Sequence, residues 1–294
     1  MLSNIIEYLK ALPPPLGRIA KRALVYPRYW MCLFRAHQGW RKYGSRYKHP
    51  IIFIAGMPKS GTTWLEKMIA SNLGYTELLI PSATFSELKN SQGHIFELPS
   101  GFHRCLKNCL IVLKMHCHGS VNNTERLNEA GMPYVIIYRD PRDVAISHYY
   151  YVRDTPWHGD YKALKNATLS EGIHFFIEKR LSEFSFWMRS WHSNRDHRCS
   201  LMISYEQMLN DPLGTLRSVF EMYDLPSDDK HLGEIINLNS IEVLRKRESA
   251  VSGFFREGKS GGWARFFDQS HRAAFKKTDG QILIDFNYEH DNTW

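Results

Sequence analysis

The chain has 294 residues, of which 43% are hydrophobic and 23% are charged, and it carries a formal net charge of +8 at pH 7. These proportions are typical of a soluble globular protein, and one α/β domain is the simplest organisation for this length. The basic balance favours anionic ligands, and on charge alone nucleic acid stays possible. The five cysteines are odd in number and scattered, which argues against a disulfide framework and favours a reducing compartment.

The first fifty residues are basic and aromatic. Residues 16–43 carry seven Lys or Arg among apolar residues, a composition that can lie on a membrane surface or can pack an apolar stripe on the core. We expect the second: residues 1–49 packed on a domain of residues 50–294, with Pro27 kinking or dividing the segment. No run of eighteen apolar residues occurs, so we expect no stable membrane insertion and a cytoplasmic protein.

Residues 51–64 predict a strand, a glycine-bearing loop and a helix, in that order. The apolar run 51–54 is short and β-branched, as buried strands are, and a helical pattern begins at Thr62. Such a unit aims backbone N–H groups and a helix N-terminus at an anion, while Gly56 and Gly61 let the backbone turn tightly. Three side chains add donors or charge to this anion site: Lys59, Thr62 and Thr63.

The spacing from Gly56 to Gly61 also fits the P-loop of nucleotide triphosphatases and kinases. The match is incomplete, because two threonines stand where that motif has Lys-Ser, and Lys59 lies inside the loop. A P-loop kinase using ATP and Mg²⁺ therefore stays open, with Asp140 after an apolar strand as its metal ligand. An ordinary turn between a strand and a helix is the other alternative.

Further apolar strands are predicted at residues 109–115, 134–138 and 201–204, with helical patterns after them. This alternation predicts a parallel sheet with right-handed crossovers. Pro141 is expected to open a helix, and one long helix with an aromatic core stripe is predicted over 170–193. The remaining assignments are a short helix at 1–12, a substrate-facing loop at 75–105, a loop at 245–262 and a helical tail at 263–286.

Lys114 and His116 end the second predicted strand, and an extended chain places them on the same side. Since histidine titrates near neutral pH, His116 can take a proton from an acceptor hydroxyl or amine, and Lys114 can neutralise charge on the transferred or leaving group. His118 is the rival base, and a structural histidine is the alternative. The nearby Cys and His residues raise a zinc site, but their spacing is not that of structural zinc sites, so no metal is expected.

Three ordered motifs, at residues 58–64, 138–147 and 256–263, resemble those of a known family. Pro-Lys-Ser-Gly-Thr-Thr-Trp at 58–64 resembles the 5′-phosphosulfate loop of the cytosolic-type sulfotransferases, which use 3′-phosphoadenosine 5′-phosphosulfate (PAPS). Lys114 and His116 match the catalytic Lys-x-His of that family. Arg139, at a strand end, and Ser147, eight residues later, match its 3′-phosphate motif, where an arginine fork can grip the anion. A surface cluster of ion pairs is the alternative for Arg139.

The third motif follows later in the chain, and the resemblance covers about residues 50–265. Arg256 and Gly258 match a late segment whose arginine and glycine also hold the 3′-phosphate in the family, although Glu257 stands where the family has lysine. Trp64 and Tyr205 fall where the family contacts adenine, and both can stack on a purine. Asn239 and Ile241 replace the usual threonine and phenylalanine of that region.

The resemblance implies an α/β fold, a single domain with a P-loop-type central parallel sheet flanked by helices. It implies transfer of a sulfuryl group from PAPS to a hydroxyl or amine of a small-molecule acceptor, with no metal and no nucleic-acid partner. His116 would be the base, and Lys59 and Lys114 would stabilise the transferred and leaving charge. A non-catalytic protein that binds membranes or nucleic acid stays open as an alternative. The implied PAPS ligands are Lys59, Ser60, Gly61, Thr62, Thr63, Trp64, Arg139, Ser147, Tyr205, Arg256 and Gly258.

Overall fold

A computed structural model describes residues 14–81, 94–247 and 258–294. Within these ranges five parallel strands form one sheet in the order β2-β3-β1-β4-β5. The chain leaves β1 toward one edge of the sheet and β4 toward the other, so a topological switch point lies between these neighbours, where α/β proteins bind ligands. The strands are β1 Ile51–Gly56, β2 Thr76–Leu78, β3 Ile111–Met115, β4 Tyr134–Tyr138 and β5 Ser200–Ser204.

Helices cover both faces of this sheet, as the alternating pattern predicts. They are α1 Pro14–Tyr43, α2 Thr62–Ala70, α3 Val121–Glu129, α4 Pro141–Arg153, α5 Tyr161–Leu164, α6 Leu169–Lys179, α7 Leu181–Asn194, α8 Tyr205–Asn210, α9 Pro212–Met222, α10 Asp229–Leu238, α11 Ile241–Arg247, α12 Gln269–Asp279 and α13 Gln281–Asp285. Short 3-10 turns lie at Gly44–Arg46, Phe102–Leu106 and Gly262–Arg265.

The central strand β1 is buried along its whole length and divides the core in two. Phe53 and Ala55 belong to one apolar cluster, while Ile52 and Ile54 belong to the other. This alternation follows from the pleat of a strand, whose successive side chains point to opposite faces. A strand apolar on both faces, as predicted for residues 51–54, therefore forms the middle layer of a single domain and confirms the expected fold class.

The helix α1 runs through Pro27 without a break, so the proline does not divide it. The carbonyl of Ala36 accepts from the backbone N–H of Leu110, at 3.1 Å, and Ala36 is fully buried. Gly39 passes so close to the sheet that a Cβ there would lie 2.0 Å from the carbonyl oxygen of Gly74. The second half of α1 is thus attached to the sheet edge. No helix among the described residues is long and apolar enough to cross a membrane.

Some boundaries differ from the sequence-based expectation. β2 lies inside the stretch 75–105, which was expected to be a loop, and it is held by pairing with β3. The predicted helix 170–193 is two helices, α6 and α7, joined at Arg180. The guanidinium of Arg180 is bonded to Asp160, a contact that no pattern within the helix reveals. The predicted helix at 1–12 lies outside the described residues.

Candidate active site

The loop between β1 and α2 has the backbone shape of an anion cradle. Gly61 has φ +79° and acts as the N-cap of α2 without offering a side chain, so the first-turn N–H groups face the space in front of the loop. A Cβ at Gly56 would lie 1.9 Å from Cγ2 of Thr62, and one at Gly61 would lie 2.6 Å from the ring of Tyr205. Both glycines are therefore required by close approach.

Lys59 lies at the turn of this loop, with φ +66°, a left-handed conformation that a side chain rarely adopts. Burial, with the nearby Arg139 as a second cause, lowers the pKa of Lys59 to about 7. Its Nζ lies 4.2 Å from the centre of the Tyr151 ring, which offers a cation–π contact. A buried lysine with a pKa near neutrality gains strongly from an incoming anion.

The loop also contains a buried hydroxyl that has no hydrogen-bonding partner among the described residues. Ser60 is fully buried, and its Oγ makes no hydrogen bond within the part of the chain that the structure describes. Such groups are uncommon in proteins and point to a ligand or an ordered water. Thr62 is buried, and Thr63 is bonded through its Oγ1 to the Nζ of Lys114, at 3.0 Å.

Lys114 is joined to the cradle through α2. Its Nζ lies 2.6 Å from Oε2 of Glu66 and 3.0 Å from Oγ1 of Thr63. The carboxylate of Glu66 is only 8% exposed, and the Lys114 side chain is 17% exposed. Because both groups are largely desolvated, the pair holds the ammonium group in one orientation beside the phosphate loop. Glu66 was not among the residues predicted from the sequence.

His116 sits level with the end of β1, since Met115 of β3 pairs with Ala55 of β1. Its Nδ1 lies in hydrogen-bonding contact with the carbonyl oxygen of Gly56. A carbonyl can only accept, so we assign the proton of the neutral ring to Nδ1, which leaves Nε2 with a free lone pair. Trp187 Nε1 donates to the carbonyl of His116, at 2.9 Å, and fixes the backbone. The ring is therefore held at the carboxyl edge of the sheet with Nε2 unprotonated.

The rival His118 faces elsewhere. It is buried, and its Nε2 lies 3.6 Å from Oε1 of Glu97. Its ring packs at 5.7 Å from the Phe186 ring. The other groups of the zinc hypothesis are also separated, since Sγ of Cys109 contacts Nδ1 of His37, at 3.3 Å. The four cysteines with described side chains form no disulfide with one another.

Arg139 connects the cradle to the loop that begins at residue 258, which we call the late loop. Its Nη1 donates to the carbonyl of Lys59, at 3.4 Å, and its Nη2 donates to the carbonyl of Lys259, at 2.9 Å. The guanidinium also lies 4.3 Å from the centre of the Tyr205 ring. Its Nε is buried and makes no hydrogen bond to any described residue. The fold thus brings Gly258 and its neighbours to Arg139, with one donor unused.

Asp143 anchors the late loop at this point. Its carboxylate accepts from the backbone N–H of Gly261, at 2.8 Å, and from that of Trp263, at 2.9 Å, and it lies 3.5 Å from Nη2 of Arg139. Asp143 stands four residues after Arg139, and ion pairs in this cluster were the sequence-based alternative for Arg139. Ser147 is half-buried on α4, and Arg256 lies outside the described residues.

The expected adenine contacts form one aromatic wall. The rings of Trp64 and Tyr205 meet edge to face, with centroids 6.4 Å apart, and Trp64 Nε1 donates to the carbonyl of Asn239, at 2.9 Å. Gly258 has φ +63°, and a Cβ there would lie 2.1 Å from Cδ1 of Ile241. These five residues come from four separate parts of the chain, and the structure brings them together beside the cradle.

Asp140, the metal ligand required by the kinase alternative, instead accepts hydrogen bonds from Arg142. It caps α4 by accepting from the backbone N–H of Arg142, at 2.8 Å, and both its oxygens bond to the Arg142 guanidinium. Asp140 and Arg142 are almost fully buried. A carboxylate held in this way stabilises the helix start and is poorly placed to bind Mg²⁺.

A group of histidines lies next to His116. The ring of His94 meets that of His116 at 5.6 Å, and burial, with the neighbouring His116 as a second cause, holds the pKa of His94 well below its usual value. The Nδ1 of His94 is buried without a bonding partner among the described residues. His148 and His158 continue the group, with rings 5.6 Å apart. None of these three was predicted, because they are separated in sequence and match no motif.

His148, His158 and Asp160 also have a spacing that could hold a metal ion. However, Asp160 already accepts from the buried guanidinium of Arg180 with both oxygens. Burial, with His158 and Arg180 as further causes, lowers the pKa of His148 well below its usual value. Because both carboxylate oxygens of Asp160 already bond to Arg180, the acidic ligand of this cluster is engaged, and the adjacent guanidinium repels a cation.

Comparison with known proteins gives one family. A family model described as "Sulfotransferase domain" matches residues 49–286. The chain is 25% identical over 259 residues to cytosolic sulfotransferase 13 of Arabidopsis thaliana, covering 81% of this chain and 78% of that protein. It is 24% identical over 256 residues to sulfotransferase 2A1 of Rattus norvegicus, covering 80% of this chain and 85% of that protein. Flavonol 3-sulfotransferase of Flaveria bidentis is 25% identical over 246 residues, covering 74% of this chain and 76% of that protein.

Solved structures agree on the fold. The mouse sulfotransferase SULT7A1 complexed with PAP (3′-phosphoadenosine 5′-phosphate) superposes with a TM-score of 0.62 at 18% identity, covering 81% of this chain and 86% of that chain. A retinol dehydratase in complex with androsterone and inactive cofactor PAP gives a TM-score of 0.57 at 17% identity, covering 84% of this chain and 86% of that chain. At these identities the likeness concerns the arrangement of the sheet and its helices.

Proposed function

Since the chain belongs to the sulfotransferase family, we propose that it transfers a sulfuryl group from PAPS to a hydroxyl or amine of a small-molecule acceptor. The observation that carries the proposal is the orientation of His116, whose Nδ1 bonds to Gly56 and whose Nε2 is left to accept a proton beside an anion cradle. Relatives named for flavonols, and neighbours bound to PAP, retinol or androsterone, support the cosubstrate and the acceptor class.

In the proposed reaction His116 Nε2 removes the proton of the acceptor as the acceptor oxygen or nitrogen attacks sulfur. The bond between sulfur and the bridging oxygen of the 5′-phosphosulfate breaks, and its electron pair leaves on the phosphate of 3′-phosphoadenosine 5′-phosphate (PAP). Lys59 and Lys114 neutralise the negative charge that gathers on the sulfuryl group and on the leaving phosphate. Glu66 keeps Lys114 in place without touching the substrate.

We propose the following assignments for the nucleotide. The 5′-phosphosulfate lies on Lys59, Ser60, Gly61, Thr62 and Thr63, where a buried hydroxyl lacks a partner among the described residues. The 3′-phosphate lies at Arg139, Ser147, Arg256 and Gly258, and the unused Nε of Arg139 supports this. Adenine lies against Trp64 and Tyr205.

The domain organisation is part of the same proposal. Residues 50–294 form the catalytic domain, and the described part of the segment 1–49 packs on it through the buried side of α1. The histidines next to His116 line the acceptor side. We propose a cytoplasmic enzyme that needs no metal and no nucleic acid.

The decisive experiment is an acceptor screen with PAPS, read by mass spectrometry, in the presence and absence of EDTA. We expect products that are heavier by one sulfuryl group, formed equally with and without the chelator. A phosphorylated product formed from ATP, lost with EDTA and restored by Mg²⁺, would establish the kinase alternative instead.

A further inference from the structure

The side of α1 that faces away from the domain exposes large apolar side chains. Seven of the thirteen exposed large hydrophobic residues in the described part of the chain lie on this one helix. Residues this large and this concentrated on a surface mark an interaction site. Five of them are between 51% and 63% exposed, and they are Leu16, Ile19, Tyr26, Trp30 and Phe34.

The spacing of these residues shows that they form one stripe. Ile19, Tyr26, Trp30 and Phe34 follow at intervals of seven, four and four, which at about 100° per residue keeps them on one side. The buried residues Val25 and Ala36 lie on the opposite side. The helix is therefore apolar on two faces, and packing on the domain explains only one of them.

Positive charge accompanies the outer stripe. Residues 16–43 contain seven Lys or Arg and no Asp or Glu. Arg28, Arg35 and Lys42 are exposed and recur at intervals of seven, so they form a second line on the exposed side of the helix, about 115° to 155° around the axis from the centre of the stripe. A helix with an exposed apolar stripe and only cations among its charged residues is typical of segments that lie in the plane of a membrane surface.

We propose that the outer face of α1 docks on an anionic lipid surface, with Trp30 and Phe34 entering the boundary between headgroups and acyl chains. The exposed cations would contact anionic headgroups, and the aromatic rings would take the interfacial position that they favour in membranes. A second copy of this chain is the poorer occupant, because two helices with seven cations each and no acidic residue repel one another.

The proposal revises one expectation from the sequence. The N-terminal segment was expected to pack on the domain instead of binding lipid, and Pro27 was expected to interrupt its stripe. Because α1 continues through Pro27 and keeps a second apolar face, packing on the domain and docking on lipid are compatible. The docking is peripheral, in line with the absence of a spanning helix from the described residues. It does not depend on the proposed catalytic activity.

The test is co-sedimentation of the full chain with vesicles at physiological salt. Vesicles of phosphatidylcholine with about a third phosphatidylserine should bind the protein, and pure phosphatidylcholine should not. The double variant Trp30→Ser/Phe34→Ser should lose binding. The triple variant Arg28→Gln/Arg35→Gln/Lys42→Gln should bind about a hundredfold more weakly, because each cation near an anionic surface contributes about fivefold.

Two matched controls change similar residues elsewhere. Leu238→Ser removes an apolar side chain that is 53% exposed at the end of α10, and Arg198→Gln removes an exposed cation. Both should bind vesicles as the wild type does. Failure of the wild type to bind, or equal binding by the Trp30/Phe34 variant, would overturn the proposal. So would a dimer in solution that this variant converts to a monomer, because the stripe would then be a subunit interface.

Discussion

Two residues of the candidate site owe their properties to where the fold places them. His116 is oriented by the carbonyl of Gly56, which accepts and therefore assigns the ring proton to Nδ1. Lys59 is buried next to Arg139, so its ammonium group loses hydration and meets a like charge. In both cases the functional property belongs to the position in the fold as much as to the residue type.

Replacing His116 with alanine should reduce the rate of sulfuryl transfer by about 10²–10⁴-fold, the usual contribution of a general base. The affinity for PAP should change little, because the ring faces the acceptor. His118→Ala is the matched control and should remain active, since that ring pairs with Glu97. Single-turnover rates and calorimetric titration of PAP separate the two effects. The assignment is wrong if His118→Ala is the inactive variant.

Lys59 should take up a proton when PAP binds. Its pKa of about 7 leaves it partly neutral in the free protein near pH 7.5, and an adjacent phosphate raises that pKa. Calorimetry in buffers of different ionisation enthalpy measures the uptake as the slope of the observed enthalpy. Lys59→Met should remove most of this slope. If the variant still binds PAP with the same slope, another group takes the proton.

The same pKa has a consequence for stability. An ordinary lysine titrates near 10.5, so between about pH 7 and that value the unfolded chain binds more protons than the folded one. The free-energy penalty of burying Lys59 therefore falls as pH rises through this window. The free energy of unfolding of the protein increases by the same amount. The penalty is complete below pH 7, where both states hold the proton.

At the scale of the element, the late loop is held by α4 through one carboxylate. Asp143→Ala removes the acceptor of the Gly261 and Trp263 N–H groups and a neighbour of Arg139. We expect the affinity for PAP to fall by at least tenfold, because the loop and the guanidinium lose their fixed positions, while the affinity for AMP changes less. Calorimetric titration of both nucleotides measures the difference.

Asp228→Ala is the control for this prediction. Like Asp143, Asp228 accepts a backbone N–H, that of His231, and it caps the start of α10, so its loss carries a similar cost in stability. It should leave the affinity for PAP unchanged. Equal losses in the two variants would mean that general destabilisation, and not the late loop, governs binding.

Much of the fold follows from local sequence, and β4 shows why. Its apolar run is bounded by Pro133 and Arg139, so the hydrophobic pattern and the flanking residues predict the same strand. The predicted bounds are those observed. β2 has only three residues and no pattern, and its conformation depends on pairing with β3. Glu66 and Asp143 were missed for the same reason. Their roles come from contacts with residues 48 and 118–120 positions away.

At the scale of the molecule, the proposed nucleotide site depends on the fold bringing distant segments to one edge of the sheet. Arg139 bonds to a carbonyl 80 residues earlier and to one 120 residues later. The cradle after β1 and the late loop thus share one guanidinium. A simple phosphate binder or a kinase has no need for this second cationic position, so the position distinguishes the proposals.

The protein should therefore prefer PAP strongly over AMP, which lacks the 3′-phosphate. Hydrogen bonds to charged groups contribute about 1.5–3 kcal/mol each, so loss of two can weaken binding by several hundredfold or more. Arg139→Ala should erase most of the preference, and Arg256→Ala should reduce it, to a smaller degree because Glu257 already lowers the local positive potential. Arg198→Ala, which removes an exposed guanidinium, is the control and should keep it. Titration of both nucleotides into the four proteins gives the ratios directly. Equal affinity of the wild type for PAP and AMP would rule out the proposed 3′-phosphate pocket and, with it, the use of PAPS.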